Sequence, residues 1–369
     1  MPPHVATCLN KLKGTLSHVR PTVTSAKPGE RDHKRACRCH GPHSRAYRGQ
    51  CLPSFMIIGS QKAATSKLRW YVSRHPEIRI PKEENFHKGP PPVAAWDTQT
   101  DPALLSRYLD NLDDVCDVPA ISALKMPDYI VMSNLTIARF YAAAPTMRIV
   151  LTLREPIARM YSYFSMQLRL GWSPINHMGK NPCMQRTLRA LKASKEASVA
   201  GRRLAGSNGS YKAGSNGSSK SGFTSEEIMR TNLECVRPCY GSGVAGEEMW
   251  HDEAQRECRN IYFTPLVHSM YALHLRRWLR IFPRESFLLL RFDDLVLQPL
   301  LALQQLTTFM QVTPLASSFK VEVGRANYTT SERLLRTRAL TPQTLAMLQS
   351  YFRPHNDALH AMFPHSQWW

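Results

Sequence analysis

Residues 55–68 combine the features of a loop that binds an anionic group. The run Phe55–Gly59 is short, apolar and closed by glycine, which is typical of a buried parallel strand. Lys62 follows, and then the hydroxyls of Thr65 and Ser66, where a helix is predicted to begin. Backbone N–H groups at a helix N-terminus bind phosphate-like anions, and a lysine adds a positive charge. The spacing therefore predicts an anion site in this loop.

Two small residues and the position of the lysine define the loop further. Ala63 and Ala64 have side chains small enough for the backbone to approach a ligand closely. A Walker A loop needs Gly-Lys directly before the hydroxyl, but Lys62 comes three residues before Thr65. The sequence therefore disfavours a kinase or ATPase.

A second group of polar residues follows the predicted strand Arg148–Leu153. Arg154 leaves the end of this strand, and Ser162 lies on a helix predicted to begin at Pro156. A guanidinium fork together with a hydroxyl suits a terminal phosphate monoester. Arg159, on the same helix, has either a binding role or a structural one, and the pattern does not decide between them.

The elements that position these residues alternate between strands and helices. Strands are predicted at 55–59, 148–153 and 286–290, and helices at 65–74, after 156, at 271–282 and from 342 to about 352. This alternation predicts an α/β protein with a parallel sheet flanked by helices.

Composition narrows the class of protein. The chain has 369 residues, 43% of them hydrophobic, and a formal net charge of +20. A wholly disordered protein, collagen, a coiled coil and an integral membrane protein are excluded, because the apolar runs are short and no repeat period is present. The positive charge favours an anionic partner but does not choose between nucleic acid, anionic membrane, nucleotide phosphates and acidic polysaccharide.

The chain divides into a basic leader and one large domain. Residues 1–50 are predicted to be a disordered basic leader, and residues 51–364 a single domain. An insertion is predicted at 185–260, where Ala205–Ser210 recurs almost at once as Ala213–Ser218. A Gly/Ser tract of this kind is typical of a flexible segment.

Cysteines and glycosylation signals bear on the cellular compartment. The nine cysteines cannot all pair within the chain. Four cysteines of the insertion region and four Asn-x-Ser/Thr sites favour a secretory lumen; they are Cys183, Cys235, Cys239, Cys258, Asn134, Asn208, Asn216 and Asn327. The N-terminal group Cys37, Cys39, His40 and Cys51 lacks a standard zinc spacing and is interpreted as a loop with incidental cysteines.

The two polar segments resemble, in the same order, the nucleotide motifs of the carbohydrate sulfotransferases. Residues 59–68 are similar to the family's 5′-phosphosulfate loop, with Ala64 in place of a glycine, and residues 153–164 to its 3′-phosphate motif. The resemblance implies a P-loop-like fold and 3′-phosphoadenylyl sulfate (PAPS) as co-substrate, with no metal. The residues implied to bind PAPS are Lys62, Ala63, Ala64, Thr65, Ser66, Arg154, Ser162 and, from a weaker C-terminal match, Arg336.

A catalytic base is implied by a third segment. Residues 81–87 resemble the acidic-aromatic segment of glucosaminyl and galactosaminyl sulfotransferases, which carries their base. A base is needed because the acceptor hydroxyl must lose its proton during in-line transfer. Glu83 is the predicted base, Glu84 is the second candidate, and the position of His87 after the aromatic residue argues against it.

A fourth segment, Leu124–Tyr129, resembles a family stretch whose lysine helps to bind the sulfonate or the acceptor. The resemblance therefore implies a catalytic role for Lys125 beside Lys62. Leu124 and Met126 replace the usual acid and hydroxyl, so the acceptor site is predicted to differ from that of the family.

Together the motifs predict a PAPS-dependent carbohydrate O-sulfotransferase acting on a glycan, one that is anionic given the chain's charge. The resemblance further implies the Golgi lumen and a membrane anchor, which this sequence does not show. A transit peptide to another organelle or a truncated gene model is the alternative. Two other functions are weighed: a catalytically decayed protein that binds sulfated glycans, and, well behind, a nucleic-acid-binding protein, for which no reading module is present.

Overall fold

A computed structural model describes residues 45–47, 50–80, 120–132, 134–170, 182–204, 223–240, 265–314, 330–337, 340–364 and 368. The chain divides into two compact units. The first comprises residues 1–153 and 274–328, and the second comprises residues 154–273 and 329–369. Neither unit is a single continuous stretch of chain.

The first unit contains a five-stranded parallel sheet. Its strands are β3 (Phe55–Gly59), β4 (Ile78–Arg79), β5 (Ile121–Lys125), β6 (Arg148–Leu153) and β7 (Phe287–Arg291), in the order β4-β5-β3-β6-β7. A short antiparallel pair, β1 (Arg45–Tyr47) and β2 (Gln50–Leu52), precedes it, so a strand lies within the segment predicted to be a disordered leader. The parallel sheet confirms the predicted α/β class.

The strand order fixes where a ligand is expected. The central strand β3 pairs with β5 on one side and with β6 on the other, with Phe55 opposite Ala123 and Arg148. The chain thus fills one side of β3 first and then crosses to the other side. Parallel α/β sheets bind ligands beyond the carboxyl ends of their strands at such a reversal. In this sheet that place is the loop after Gly59.

Helices surround the sheet and build the second unit. They are α1 (Thr65–Val72), α2 (Asn134–Ala143), α3 (Pro156–Arg169), α4 (Pro182–Leu204), α5 (Ser225–Tyr240), α6 (Pro265–His268), α7 (Tyr271–Leu279), α8 (Phe292–Leu297), α9 (Pro299–Met310), α10 (Ser331–Thr337) and α11 (Pro342–Met362). Short 3-10 turns lie at Tyr129–Val131 and Arg284–Ser286.

Both faces of the sheet are buried, which explains why its strands are apolar throughout. On one face, Phe55 and Ile57 of β3 pack in a cluster with residues of α1, α8 and α9. The alternate residues Met56 and Ile58 are equally buried. The sheet therefore forms the rigid interior that holds the loop after β3.

The second unit is helical. Helix α5 packs against α3, α4 and α6, and the Cys183–Cys235 disulfide ties α4 to α5 across 52 residues of sequence. A capping box begins α5: Thr224 and Glu227 exchange hydrogen bonds between side chain and backbone N–H at 2.8 and 3.2 Å. Helix α5 and most of α4 thus lie inside the region predicted as an insertion at 185–260, whose Gly/Ser tract is outside the described residues.

Several element predictions differ from the structure. Helix α1 ends at Val72 rather than at residue 74, and α7 ends at Leu279 rather than at residue 282. Strand β7 lies one residue later than predicted, and strand β5 was not predicted. Helix α11 continues to Met362, ten residues beyond the predicted end at Phe352, and passes through Pro354. Buried residues continue along one face past this proline, at His355 and Leu359, and their burial offsets the cost of the proline.

The described residues contain neither a membrane-spanning helix nor a cluster of metal ligands. None of the helices placed there is long and apolar enough to cross a membrane. The same part of the chain holds no group of three or more His, Cys, Asp or Glu side chains that could bind a metal ion. Cys37, Cys39 and His40 lie outside it.

Candidate active site

The anion loop begins where β3 ends, at a glycine with no room for a side chain. A Cβ atom built on Gly59 would lie 3.0 Å from Ile130 Cβ and 3.3 Å from the Pro127 carbonyl oxygen. The turn containing Ile130 therefore packs directly against the backbone of Gly59. This close approach explains why the predicted strand closes with glycine.

Backbone hydrogen bonds then fold the loop. The Ser60 N–H donates to the Thr152 carbonyl at 2.8 Å, and the Ala63 N–H donates to the Ser60 carbonyl at 3.0 Å. Lys62 and Ala64 have left-handed backbone conformations, with φ of 70° and 63°. Left-handed geometry favours glycine, so the glycine of the family motif has a physical explanation at Ala64.

Helix α1 presents its N-terminus to this loop. Ala64 occupies the capping position and has no side chain that could accept a hydrogen bond, and the first turn has no acidic residue. The first N–H groups of a helix have no partner within the helix and carry partial positive charge. The start of α1 is therefore suited to an anion.

A buried hydroxyl also lies in the loop. Ser60 is 1% exposed, and its Oγ has no hydrogen-bond partner among the described residues. A buried hydroxyl without a partner costs free energy, so an anionic ligand that accepted a hydrogen bond from it would stabilise the site. Of the predicted loop residues, Ala63 and Thr65 are buried, Lys62 is half-buried and Ser66 is exposed.

The structure brings Lys125 to the same loop. Its ammonium donates to Ser66 Oγ at 3.0 Å, and the residue is only 6% exposed. Burial and the nearby Arg69 lower the pKa of Lys125 to about 8, whereas Asp128 acts in the opposite direction. A desolvated ammonium beside a helix N-terminus interacts strongly with an anion that replaces water there.

The neighbours of Lys125 explain part of the departure from the family motif. Leu124 is completely buried in β5, so this position belongs to the core here. Met126 is half-buried, and its N–H donates to the Ile57 carbonyl at 2.9 Å. These two residues hold β5 against β3 and thereby place Lys125.

The second predicted group lies in the second unit, at the start of α3. Arg154 is buried directly after β6, and its carbonyl accepts a hydrogen bond from the Tyr271 hydroxyl at 2.8 Å. Glu155 caps α3 by accepting from the Ala158 N–H at 2.6 Å, and Pro156 occupies the first turn. Ser162 is half-buried on the second turn.

The alternatives left open for Arg159 are resolved in favour of structure. The side chain is 0% exposed. Its Nε donates to Ser269 Oγ at 2.7 Å, and its Nη2 donates to the Pro265 carbonyl. These contacts fix α3 to the segment that begins at Pro265.

Some predicted residues lie outside the described part of the chain. Glu83, Glu84 and His87 belong to residues 81–119, so the base stays a prediction. Arg336 falls on α10, but its side chain is outside the described set.

Sequence reasoning missed the hydroxyls of Ser60, Ser269 and Tyr271. Tyr271 begins a helix predicted from its apolar pattern, which assigns no role to the hydroxyl, and its partner Arg154 is 117 residues away. A local sequence pattern cannot reveal a hydrogen bond between residues so far apart in the chain. The Ser60 hydroxyl, in contrast, lies inside the motif and could have been singled out.

Comparison with known proteins identifies the family. The model of the sulfotransferase domain family matches residues 53–339, and the chain belongs to that family. It is 22% identical over 333 residues to the membrane-associated sulfotransferase kil1 of Dictyostelium discoideum, covering 84% of this chain and 65% of kil1. It is 25% identical over 114 residues to heparan sulfate glucosamine 3-O-sulfotransferase 5 of mouse, covering 27% of this chain and 33% of that enzyme. The chain thus spans less than two thirds of either relative.

Two solved structures are also similar. One is a sulfotransferase from Alicyclobacillus acidocaldarius, with 18% identity and a TM-score of 0.49, covering 86% of this chain and 97% of that chain. The other is the sulfotransferase domain from the curacin biosynthetic pathway, with 12% identity and a TM-score of 0.37, covering 82% and 98%.

Proposed function

We propose that this sulfotransferase moves a sulfonate group from PAPS to a hydroxyl of a glycan or polysaccharide. Family membership implies PAPS as the donor. The observation that carries the proposal is the convergence of the start of α1, the half-buried Lys62 and the buried Lys125 on one loop. A multiply charged phosphosulfate needs this combination of fixed dipoles and cations.

Two groups of residues are proposed to hold the donor. The loop from Lys62 to Ser66, with the buried hydroxyl of Ser60, would bind the 5′-phosphosulfate. Arg154 and Ser162 would bind the 3′-phosphate, because a guanidinium fork and a hydroxyl match its oxygen atoms. Nothing in this binding scheme requires a metal ion, since lysines supply the positive charge.

The reaction is a single displacement at sulfur. The acceptor hydroxyl oxygen forms a bond to sulfur, the bond from sulfur to the phosphate oxygen of the donor breaks, and a base takes the hydroxyl proton. We assign the base to Glu83. Lys125 and Lys62 would stabilise the negative charge that develops on the leaving phosphate.

An anionic acceptor is supported by charge. The chain carries a net charge of +20, and α4 presents an exposed basic face. Arg186 and Arg189 lie on this face, away from the buried Met184 and Leu188. Activity on a sulfated or uronate-rich glycan should therefore fall steeply with added salt. Equal rates on neutral and anionic glycans at low salt would contradict this assignment.

The Cys183–Cys235 disulfide supports a location in an oxidising secretory compartment, and we propose the Golgi lumen. Exposed Asn134 is the glycosylation signal within the described residues. A loss of mass after glycosidase treatment of the protein expressed in eukaryotic cells would support this location, and an unchanged mass would contradict it.

Thermal unfolding with adenosine 3′,5′-bisphosphate (PAP), without magnesium, tests the donor site. At 100 times its Kd, PAP should stabilise the folded protein by about 2.7 kcal/mol, whereas ADP should not. The shift should disappear in the double variant Lys62→Ala, Arg154→Ala. Lys67→Ala is the matched control, since this lysine lies on α1 over the ring of Tyr71, 5.7 Å from its centroid.

A decayed, polyanion-binding protein is the second candidate. It is favoured by Ala64, whose left-handed φ of 63° is a conformation that suits the family's glycine better. This candidate predicts salt-sensitive binding to heparin-like chains together with no selective response to PAP. A PAP-specific shift in the melting temperature would exclude it.

A further inference from the structure

The carbonyl of Arg154 is held from a distant part of the second unit. Tyr271 is 1% exposed, and its hydroxyl donates to this carbonyl at 2.8 Å. Arg154 lies between the end of β6 and the start of α3, outside regular secondary structure. A hydrogen bond to its carbonyl therefore restrains the peptide group that follows the Arg154 Cα, from which the side chain extends.

A second contact holds Arg159, which lies on the first turn of α3. Ser269 Oγ accepts from Arg159 Nε at 2.7 Å and lies 3.3 Å from the Pro156 carbonyl and 3.1 Å from the Pro265 carbonyl. The Arg159 Nη2 group donates to the Pro265 carbonyl as well. The same short segment thus holds both the backbone and a side chain at the start of α3.

The segment is itself fixed by a third helix. The Leu266 N–H donates to Oδ1 of Asn232 on α5 at 3.1 Å, and Asn232 is completely buried. Within the segment, the Ser269 N–H donates to the Leu266 carbonyl at 2.9 Å. Hydrogen bonds therefore hold residues 265–271 in place, and the segment can support the start of α3.

We infer that residues 265–271 are a positioning device for Arg154, with Tyr271 and Ser269 as its positioning residues. The inference rests on the proposed function, in which Arg154 binds the 3′-phosphate of the donor. By fixing the Arg154 peptide, the segment sets the direction of the guanidinium before the nucleotide arrives. Specificity for the 3′-phosphate then depends on a tyrosine hydroxyl that does not touch the nucleotide.

The test compares two nucleotides in Tyr271→Phe, which keeps the ring and removes only the hydroxyl. PAP carries the 3′-phosphate and adenosine 5′-monophosphate (AMP) lacks it. By isothermal titration, the variant should bind PAP about three- to tenfold more weakly, the factor that one hydrogen bond supplies. Its affinity for AMP should not change, and the KM for PAPS should rise while the KM for the glycan stays the same.

Tyr141→Phe is the matched control. Tyr141 is a half-buried tyrosine of α2 whose ring packs against Phe282, with 5.1 Å between the ring centroids, and not against residues 265–271. It should bind both nucleotides as the wild type does. Equal loss of affinity for PAP and AMP in Tyr271→Phe would indicate general structural damage and would overturn the inference.

The remaining outcomes separate the two proposals. If the wild type binds PAP no more tightly than AMP, the assignment of Arg154 and with it the proposed function fail. If the wild type prefers PAP and Tyr271→Phe keeps the whole preference, only the positioning role fails. If Tyr271→Phe does not fold, the ratio of PAP affinity to AMP affinity is measured in Ser269→Ala instead. A ratio equal to that of the wild type overturns the inference.

Discussion

The loop after β3 and the start of α3 are both candidate phosphate sites, but they are built differently. The loop is assembled from neighbours in sequence: Gly59, two left-handed residues and the start of α1 lie within ten residues, and Lys125 is the main distant contribution. The start of α3 depends on groups that are more than 100 residues away: the Pro265 carbonyl and the hydroxyls of Ser269 and Tyr271.

This difference separates two ways of preparing an anion site. In the first unit, the backbone conformation of the loop points N–H groups toward an anion, so one sequence motif encodes most of the site. In the second unit, buried hydrogen bonds from distant residues hold the Arg154 carbonyl and the Arg159 side chain, so the motif alone is insufficient. The first site should respond mainly to changes in charge and backbone shape, and the second mainly to loss of distant hydrogen bonds.

The largest effect is expected at Lys125, where function and stability should move in opposite directions. Lys125→Met removes a buried charge, so kcat for sulfonate transfer should fall about 10²- to 10³-fold. The melting temperature should rise, because burying an ammonium costs free energy that methionine does not cost. Transfer assays and calorimetry measure the two quantities. Lys67→Met is the control, and a lower melting temperature with unchanged kcat in Lys125→Met would contradict the assignment.

Arg159 should show the opposite behaviour, a large loss of stability. Arg159→Met leaves the Pro265 carbonyl without this buried donor and should cost about 3 kcal/mol of unfolding free energy. Arg169→Met is the control, since Arg169 is exposed at the end of the same helix and should change stability by less than about 0.5 kcal/mol. Equal urea midpoints for the two variants would show that Arg159 does not hold α3.

Gly59→Ala tests the tight contact at the end of β3. The added methyl group would lie 3.0 Å from Ile130 Cβ, so the loop or the turn must shift. We expect a loss of about 1–3 kcal/mol in stability together with weaker PAP binding. Urea unfolding and titration measure the two effects, and wild-type values for both would show that the contact is not restrictive.

The pH dependence of PAP binding tests the charge of Lys125. Burial lowers its pKa from 10.5 to about 8, so the ammonium loses its proton above pH 8, where an exposed lysine stays charged. PAP affinity should be constant below pH 8 and should then fall, by up to about tenfold per pH unit. The decline should be absent in Lys125→Met. A wild-type affinity that is constant up to pH 10 would be inconsistent with this pKa.

The smallest effect is expected at Ala64, and it should be favourable. Ala64→Gly relieves a left-handed alanine at φ 63°, which offsets the greater freedom of glycine in the unfolded chain. We expect a gain of up to about 1 kcal/mol with PAP affinity maintained. Ala63→Gly, one residue earlier, is the control and should be destabilising. A loss of stability in Ala64→Gly would show that the left-handed backbone of Ala64 is not strained.

The sequence predicted the parts of the fold that local patterns encode. Apolar runs marked β3 and β6, and small residues and hydroxyls marked the loop after Gly59. Strand β5 escaped because its five residues include Ser122 and Lys125, and its burial follows from its neighbours in the sheet. The capping box at Thr224 could have revealed the start of α5.

The remaining errors arise from tertiary contacts. Pro354 indicates the end of a helix locally, yet the buried face of α11 carries the helix past it. Arg159 has the same local surroundings whether it binds a nucleotide or the Pro265 carbonyl. The position of residues 265–269 beside α3 distinguishes these roles, and the local sequence does not contain it.

The interleaved arrangement of the two units also has a consequence for synthesis on the ribosome. Arg159 emerges 110 residues before Ser269, an interval of roughly 5–20 s at usual rates of translation. During that time its guanidinium must remain hydrated, so α3 cannot reach its final burial. The first unit also waits, since β7 comes from its second stretch of chain. Both units therefore complete their folding late, and a nascent chain halted before residue 265 should lack the finished site at the start of α3.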